Sequence, residues 1–293
     1  MVESVVGPWA KEKLNCLAKY LEEYTKILRK QPGFTYIYVD AFSGSGTHRV
    51  RENRVRDTAQ LDFTLLKNHL DEDSGHQEYL KGSPRVALEI QYPFSKYVFI
   101  EYDPDRARGL ETLRDAHPER ANDIVVRTGD CNEYISKRLL DPRRSWAKLR
   151  AVVFLDPFGM QVPWQTIERL AKTKAIEVFV NFPVGMAIQR LLRRDAQYTP
   201  SQRRKLDQYF GSSEWFDVVY RGSTGLFGAP LRDKAADSNL ALTRWYQLRL
   251  KEHFGFASDP RLIRSSSNRP LYYLIHAGPN KTGARIAQYI LST

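Results

Sequence analysis

The sequence predicts a doubly wound α/β fold on a mostly parallel sheet, with an N-terminal helix ahead of it and a basic, aromatic insert within it. Three observations lead there. Five short apolar runs alternate with helical segments, and each run is continuously hydrophobic, as strands covered on both faces must be. Each run delivers an acidic or amide residue at its end. The first run feeds a glycine-rich turn, the opening of a nucleotide-binding α/β unit.

The helix Trp9–Leu28 places Leu14, Leu17, Ala18, Leu21, Tyr24, Ile27 and Leu28 on one stripe and is ended by Gln31-Pro32-Gly33. Tyr36-Ile37-Tyr38-Val39 is the first strand and runs into Asp40. The charged stretch from His48 to Gln77 reads as a surface excursion with a short helix near 61–70. Ser83 and Pro84 read as a helix N-cap and first-turn pair. Strands follow at 97–100, 123–127, 151–155 and 175–180, with helices at 105–116, 132–140, 164–172 and 186–194. Residues 198–227 are irregular, basic and aromatic (Tyr209, Phe210, Trp215, Phe216, Tyr220), so an insert is expected at about 198–234. A helix at 235–254 and two antiparallel strands, Leu262-Ile263-Arg264 and Leu271 to Ile275, close the chain. The expected organisation is an N-terminal helical segment, 1–34, and one domain, 35–293, that carries the insert.

The chain has 293 residues and a formal charge of +11. Arginine leads the basic clusters: Arg49/Arg51/Arg54/Arg56, Arg143/Arg144, Arg190/Arg193/Arg194 and Arg203/Arg204/Lys205. Guanidinium groups favour bidentate phosphate contacts, so a nucleic-acid partner, RNA or DNA, is expected ahead of a merely solvated basic surface. No apolar stretch approaches the roughly 18–20 residues that span a bilayer, and the N-terminus lacks a signal-peptide core. A cytoplasmic location with no membrane partner is the expectation. Cys16 and Cys131 are too few for a disulfide framework or the usual zinc site, and no metal is expected.

Chemistry is expected where the polar strand ends meet: Asp40, Glu101, Asp130, Asp156 and Asn181. In Asp40-Ala41-Phe42-Ser43-Gly44-Ser45-Gly46 the glycines allow a cofactor to approach the backbone. No Gly-Lys-Ser/Thr follows, and Arg49 stands where a dinucleotide loop needs its third glycine, which leaves a cofactor without a pyrophosphate. Glu101 is placed to accept from two ribose hydroxyls, or else lies at a helix start, where negative charge suits the dipole. Asp130 is placed either to reach an adenine amino group or to cap the next helix. Asp156-Pro157-Phe158-Gly159 fits methyl transfer to an exocyclic amine: an acceptor for the amino group, a rigid proline that aims a carbonyl, and an aromatic face for a base. The competing reading is a sharp turn with a helix-capping Asp156.

The segments YVDAFSGSGTH, KGSPRVALEI, FIEYDPDR, GDCNEYI, FLDPFGMQVPW and VNFPVGMAIQRLL resemble the three-Cys-motif partner protein family, TcmP, as do WAKEKLNCLAKYLEEYTKIL and LYYLIHAGPNKTGARIAQYI at the two ends. The resemblance implies a Rossmann-like class I methyltransferase fold with S-adenosylmethionine as cofactor. It implies cofactor binding by Asp40, Ala41, Phe42, Gly44 and Gly46, by Glu101 as the ribose acid and Asp130 as the adenine-side acid, and by their neighbours Tyr102 and Cys131. Asp156, Pro157 and Phe158 are similar to the Asp-Pro-Pro-aromatic motif of amino-methylating nucleic-acid enzymes, with Phe158 in place of the second proline and Gly159 in place of the aromatic. A radical-SAM-like protein with a three-cysteine motif is the implied partner. Three functions are expected to compete: a methyltransferase acting on a nucleic-acid base, a catalytically weak scaffold serving that partner, and, behind both, a methyltransferase acting on protein or on a small molecule.

Overall fold

Strands that are apolar along their whole length must be covered twice, and helices cover this sheet on both sides. A computed structural model describes residues 4–6, 9–50, 79–224 and 230–293. Ser4–Val6 is β1, Trp9–Leu28 α1, Thr35–Asp40 β2, Thr47–Val50 β3, Tyr79–Lys81 β4 and Ser83–Leu88 α2. Lys96–Glu101 is β5, Pro104–Asp115 α3, Ile124–Thr128 β6, Cys131–Tyr134 α4, Leu149–Leu155 β7, Trp164–Lys172 α5 and Ile176–Phe182 β8. After two short helical turns that include α6 (Gln189–Leu191) come α7 (Pro200–Phe210), α8 (Trp215–Val219), β9 (Tyr220–Thr224) and β10 (Pro230–Lys234). The rest is α9 (Ser238–Phe254), β11 (Phe256–Ala257), β12 (Arg261–Arg264), β13 (Pro270–Gly278) and α10 (Lys281–Ser292).

The main sheet has the order β11-β13-β8-β7-β2-β5-β6, and β12 pairs with β13 beside β11. β6, β5, β2, β7 and β8 are mutually parallel. β13 is antiparallel to β8 and to the β11/β12 edge. The chain winds outward from β2 through β5 to β6, then returns to the other side of β2 through β7. The switch point thus lies between β2 and β7, where an open α/β sheet leaves a crevice. This is a Rossmann-like, doubly wound α/β fold.

Period-2 alternation sorts the strand residues into two cores. Tyr38, Tyr97, Phe99, Val152, Phe154 and Phe179 face α1, α2, α3 and α10. Val39, Ile100, Val153, Leu155 and Val180 face α4, α5, α7, α8 and α9. α1 is fixed by its stripe: Leu14, Leu17 and Leu21 are buried, each contributing about 1.5–3 kcal/mol of transfer free energy. Tyr20 and Tyr24 extend that stripe, and Tyr20 donates to the buried Glu177 of β8. α3 starts because Asp103 caps the amides of Asp105 and Arg106 and Pro104 sits in the first turn. No helix among the described residues is long and apolar enough to cross a membrane.

Three sequence expectations change here. The N-cap of α2 is Gly82, while Ser83 is inside the helix and buried. Its hydroxyl has a better partner than the helix amides, as shown below. The stretch expected to be irregular at 198–227 holds two helices and one strand of a hairpin, β9 paired with β10. Its aromatics are core: Tyr209, Phe210, Trp215 and Tyr220 are buried. Charged residues outnumber the narrow apolar stripe Leu206, Tyr209, Phe210, which hides the helical period. β1, β3 and β4 also form a small separate sheet that no periodicity announced. Arg51, Arg54 and Arg56, the helix expected near 61–70 and Phe227 lie outside the described residues.

Gly211 ends α7 in the left-handed conformation, φ 68°, and a Cβ there would lie 2.4 Å from Trp164 Cδ1. Gly211→Ala combines the left-handed penalty with overpacking of a buried indole. Chemical denaturation should show a loss of about 2–4 kcal/mol. A loss under 1 kcal/mol would mean that Trp164 gives way freely.

Candidate active site

The parallel strands bring their carboxyl ends to one edge, and alternation decides which way the last side chains point. Tyr38, Phe99, Phe154 and Phe179 face α1. Two residues on, Asp40, Glu101, Asp156 and Asn181 share that face. Asp40, Asp156 and Asn181 therefore meet beside the switch point, with Lys13 of α1 on Asp156, while Glu101 ends the neighbouring strand β5.

Asp40 is fully buried. Its carboxylate accepts from the Tyr38 hydroxyl at 3.1 Å and the Phe42 amide at 3.3 Å, and from the Ser83 side chain. Burial pushes its pKa up to about 7; the Ser83 hydrogen bond opposes the shift and the charge of Asp156 adds to it. Ser83 thus spends its hydroxyl on the strand end, which explains why it does not cap α2.

The glycine loop folds back over this edge. Ser43 N donates to Ile100 O at 3.0 Å, and Gly44 N to Glu101 Oε2 at 2.8 Å. Glu101 Oε1 accepts from Asp103 N at 3.0 Å, so one buried carboxylate joins the loop to the start of α3. Two acceptor sites are used, and a carboxylate has about four. At Gly46, φ is 80° and a Cβ would come within 2.9 Å of Leu113 Cδ2, so the loop tolerates no side chain there. Tyr102, beside Glu101, is 77% exposed.

Asp130 is exposed and caps α4, accepting from Glu133 N at 3.0 Å. Cys131 behind it is buried, and burial, with Asp130 adding, pushes its thiol up to about 12. A thiol so protonated is no nucleophile at neutral pH. Ala41 is buried and donates its amide to Phe154 O at 3.0 Å, while Phe42 is half-buried against the core.

Asp156 follows β7 directly. Asn181 Nδ2 donates to its Oδ1 at 2.6 Å, and Lys13 of α1 forms an ion pair with its Oδ2. It does not cap α5, whose N-cap is Pro163, so the helix-capping role is ruled out. The Asn181 amide must point its nitrogen at the carboxylate, leaving Oδ1 as a buried acceptor without a partner among the described residues. The Tyr272 hydroxyl of β13 is buried in the same condition. Pro157 is buried and Phe158 is 62% exposed at the rim.

Sequence reasoning missed Lys13, Tyr38, Ser83 and Tyr272, and gave Asn181 no role. Lys13 lies on the buried stripe, with Ala10 three residues before it and Leu17, Tyr20 and Tyr24 four, seven and eleven after it, although its charge alone reads as solvated. The basic clusters also divide. Arg193 pairs with Asp195, Arg143 with Asp141, and Arg203 stacks 4.3 Å from the Phe216 ring centroid while pairing with Asp207. Arg190, Arg194, Arg204 and Lys205 are exposed.

No protein-family model matches the chain, and no curated protein does. Among solved structures it is similar to protein LPL1258 of Legionella pneumophila, of the DUF519 family, at 12% identity and TM-score 0.49, over 95% of this chain and 90% of that one. A conserved hypothetical protein of Streptococcus pyogenes gives 16% identity and TM-score 0.30, over 52% and 69%. A methyltransferase candidate of Escherichia coli, YhhF, gives 10% identity and TM-score 0.30, over 89% and 86%. Likeness of this size leaves function to be argued from the site.

A carboxylate whose folded pKa lies above its unfolded value of about 3.9 favours folding while it is protonated in both states, below about pH 4. That contribution is lost as pH rises through about 7. Asp40→Asn removes the titration. The stability of Asp40→Asn minus that of the unaltered protein, from urea unfolding, should rise by on the order of 3–4 kcal/mol between pH 4 and pH 8. A flat difference would mean that burial of Asp40 costs nothing.

Proposed function

We propose that the chain is an S-adenosylmethionine-dependent methyltransferase acting on an amino group of a nucleic-acid base. The observation that carries this reading is the strand-end constellation at the switch point. A loop with glycine at positions 44 and 46 is pinned by the buried Glu101 beside an exposed tyrosine. Next to it stands an acceptor pair, Asp156 and Asn181, with an exposed phenylalanine at the rim. The reversed strand β13 inside an otherwise parallel sheet agrees with the class I methyltransferase fold that the motif resemblance implies.

The residues fit the cofactor. Gly44, whose amide Glu101 holds, puts no side chain on the loop, the remaining lone pairs of Glu101 suit ribose hydroxyls, and the Tyr102 ring offers a face for adenine. Asp130 spends one oxygen on its helix cap and keeps the other for the adenine edge, with the Cys131 amide beside it. When bound, S-adenosylmethionine supplies an electrophilic methyl group on a sulfonium. The protein's task is then to orient the acceptor. Asp156 and the free carbonyl of Asn181 accept N–H bonds from the amine, which turns the nitrogen lone pair outward. The backbone carbonyl of Pro157 extends that set, and Phe158 offers a stacking face.

Nucleic acid is favoured by the charge of +11 and by Arg190 and Arg194, which follow closely on the carboxyl end of β8, with Arg204 and Lys205 on α7. The radical-SAM-like protein implied by the TcmP resemblance is the proposed partner.

Tyr102→Ala isolates the cofactor half of the proposal, because a ring this exposed contributes little to stability. Calorimetry with S-adenosylmethionine should show affinity falling roughly tenfold, the worth of about 1–2 kcal/mol of stacking, at unchanged melting temperature. Unchanged affinity removes Tyr102 from the site. Methyl transfer from labelled S-adenosylmethionine to total cellular RNA and DNA tests the other half. Asp156→Asn should leave cofactor affinity within about twofold and slow transfer about tenfold to a hundredfold, the loss of one charge-assisted hydrogen bond. No transfer by the unaltered protein to either nucleic acid, with the three-cysteine partner added, would sink the enzyme reading in favour of the scaffold.

A further inference from the structure

Lys13 lies on the buried stripe of α1, between Ala10 and Leu17, and its side chain is only 11% exposed. A buried ammonium is costly unless paired, and replacing such pairs by apolar residues is often neutral or stabilising. Anchoring α1 does not require it. The helix already has its leucine stripe, the Tyr20–Glu177 hydrogen bond and, one residue before Lys13, the Glu12–Arg261 ion pair to β12 at 2.7 Å. Those contacts hold the backbone on either side of Lys13 and so fix where its ammonium lies. There it pairs with Asp156, 5.3 Å from the Tyr272 ring centroid and 5.9 Å from that of Phe154, within cation–π reach of both. Asp156 is held by Lys13 on Oδ2 and by Asn181 on Oδ1, a geometry that neither partner sets alone.

We propose that Lys13 is a positioning residue of the methyl-transfer site: through α1 it fixes the Asp156 carboxylate against Asn181, so that both present their remaining lone pairs to the acceptor amine. The proposal rests on the reading of Asp156 given above. It makes the N-terminal helix part of the active site. Because Lys13 acts through Asp156, it matters for orienting the acceptor and not for holding the cofactor. Removing it should therefore lower kcat and spare cofactor affinity.

The test compares the unaltered chain with Lys13→Met, Lys13→Arg, Asp156→Asn and the double variant Lys13→Met/Asp156→Asn. S-adenosylmethionine affinity is measured by calorimetry, and single-turnover methyl transfer is measured with total RNA and total DNA. Cofactor affinity should stay within about twofold throughout. Transfer should fall at least about tenfold in Lys13→Met and return to within about threefold in Lys13→Arg. The double variant should be no slower than Asp156→Asn alone, since the two residues act as a unit. The double variant also leaves no unpaired buried charge, so it remains informative if Lys13→Met unfolds. Transfer by Lys13→Met at the unaltered rate overturns the positioning role while leaving the site reading intact. So does a double variant slower than Asp156→Asn by the full Lys13 factor, and so does cofactor affinity falling with the lysine. An unaltered protein that transfers nothing overturns the site reading and this proposal with it.

Discussion

A strand buried on both faces has nowhere to keep a polar side chain except its end. β2, β5, β7 and β8 are largely apolar and buried along their length, and the polar groups at their carboxyl ends collect at one edge, while Glu177 at the start of β8 is taken up by Tyr20. Because the strands are parallel, it is the same edge. The concentration of Asp40, Glu101, Asp156 and Asn181 follows from that constraint and from the common side on which alternation leaves them. What the sequence had to specify beyond this was how so many acidic groups could be tolerated together.

Each acid is handled differently. Asp40, sealed from water, is pushed toward neutrality and satisfied by Tyr38, Ser83 and the Phe42 amide. Glu101 takes two backbone amides, so its charge builds the loop it faces. Asp156 takes a lysine from a helix 143 residues away in sequence. These solutions depend on one another: the charge of Asp156 raises the pKa of Asp40, and the cation beside Asp156 limits how much negative potential the edge carries. The edge needs α1 as much as the strands do. A boundary between the N-terminal helix and the sheet, natural to draw from composition, therefore cuts across the contacts that complete the site.

The elements most legible in the sequence were those whose physics is local. α1 and α5 were readable to the residue, from an uninterrupted apolar stripe in one case and from Trp164, Ile167, Leu170 and Ala171 in the other. The strand cores were readable because continuous apolar runs have few alternatives, although β7 and β8 each extend two residues past the expected run at one end. Legibility failed where a residue's partner is distant. Ser83 has every local mark of an N-cap and is drawn instead to Asp40. Lys13 reads as a solvated charge between apolar positions until Asp156 arrives. The insert reads as irregular because its helices need only a narrow apolar stripe, the rest of the covering surface being supplied by α5 and α9.

The aromatic content of the chain separates by the same logic. In the insert, Trp215 and Phe210 stack with each other, Trp215 donates to Asp207, and Arg203 lies over Trp215 and Phe216. A basic, aromatic stretch that resembles a nucleic-acid platform in sequence is thus largely consumed by its own packing. Two rings at the strand ends escape this fate. Tyr102 and Phe158 are large, apolar and exposed directly after the buried Glu101 and Pro157, where chain connectivity alone would have allowed small or charged residues. Exposed aromatics need no explanation when scattered, but these two flank one loop and one acceptor pair at the switch point of the sheet. Charge density across the chain speaks for a polyanionic partner. The position of the two exposed rings speaks for where a flat ligand would meet the protein, and both considerations lead to the edge that Lys13 and Asp156 close from beneath.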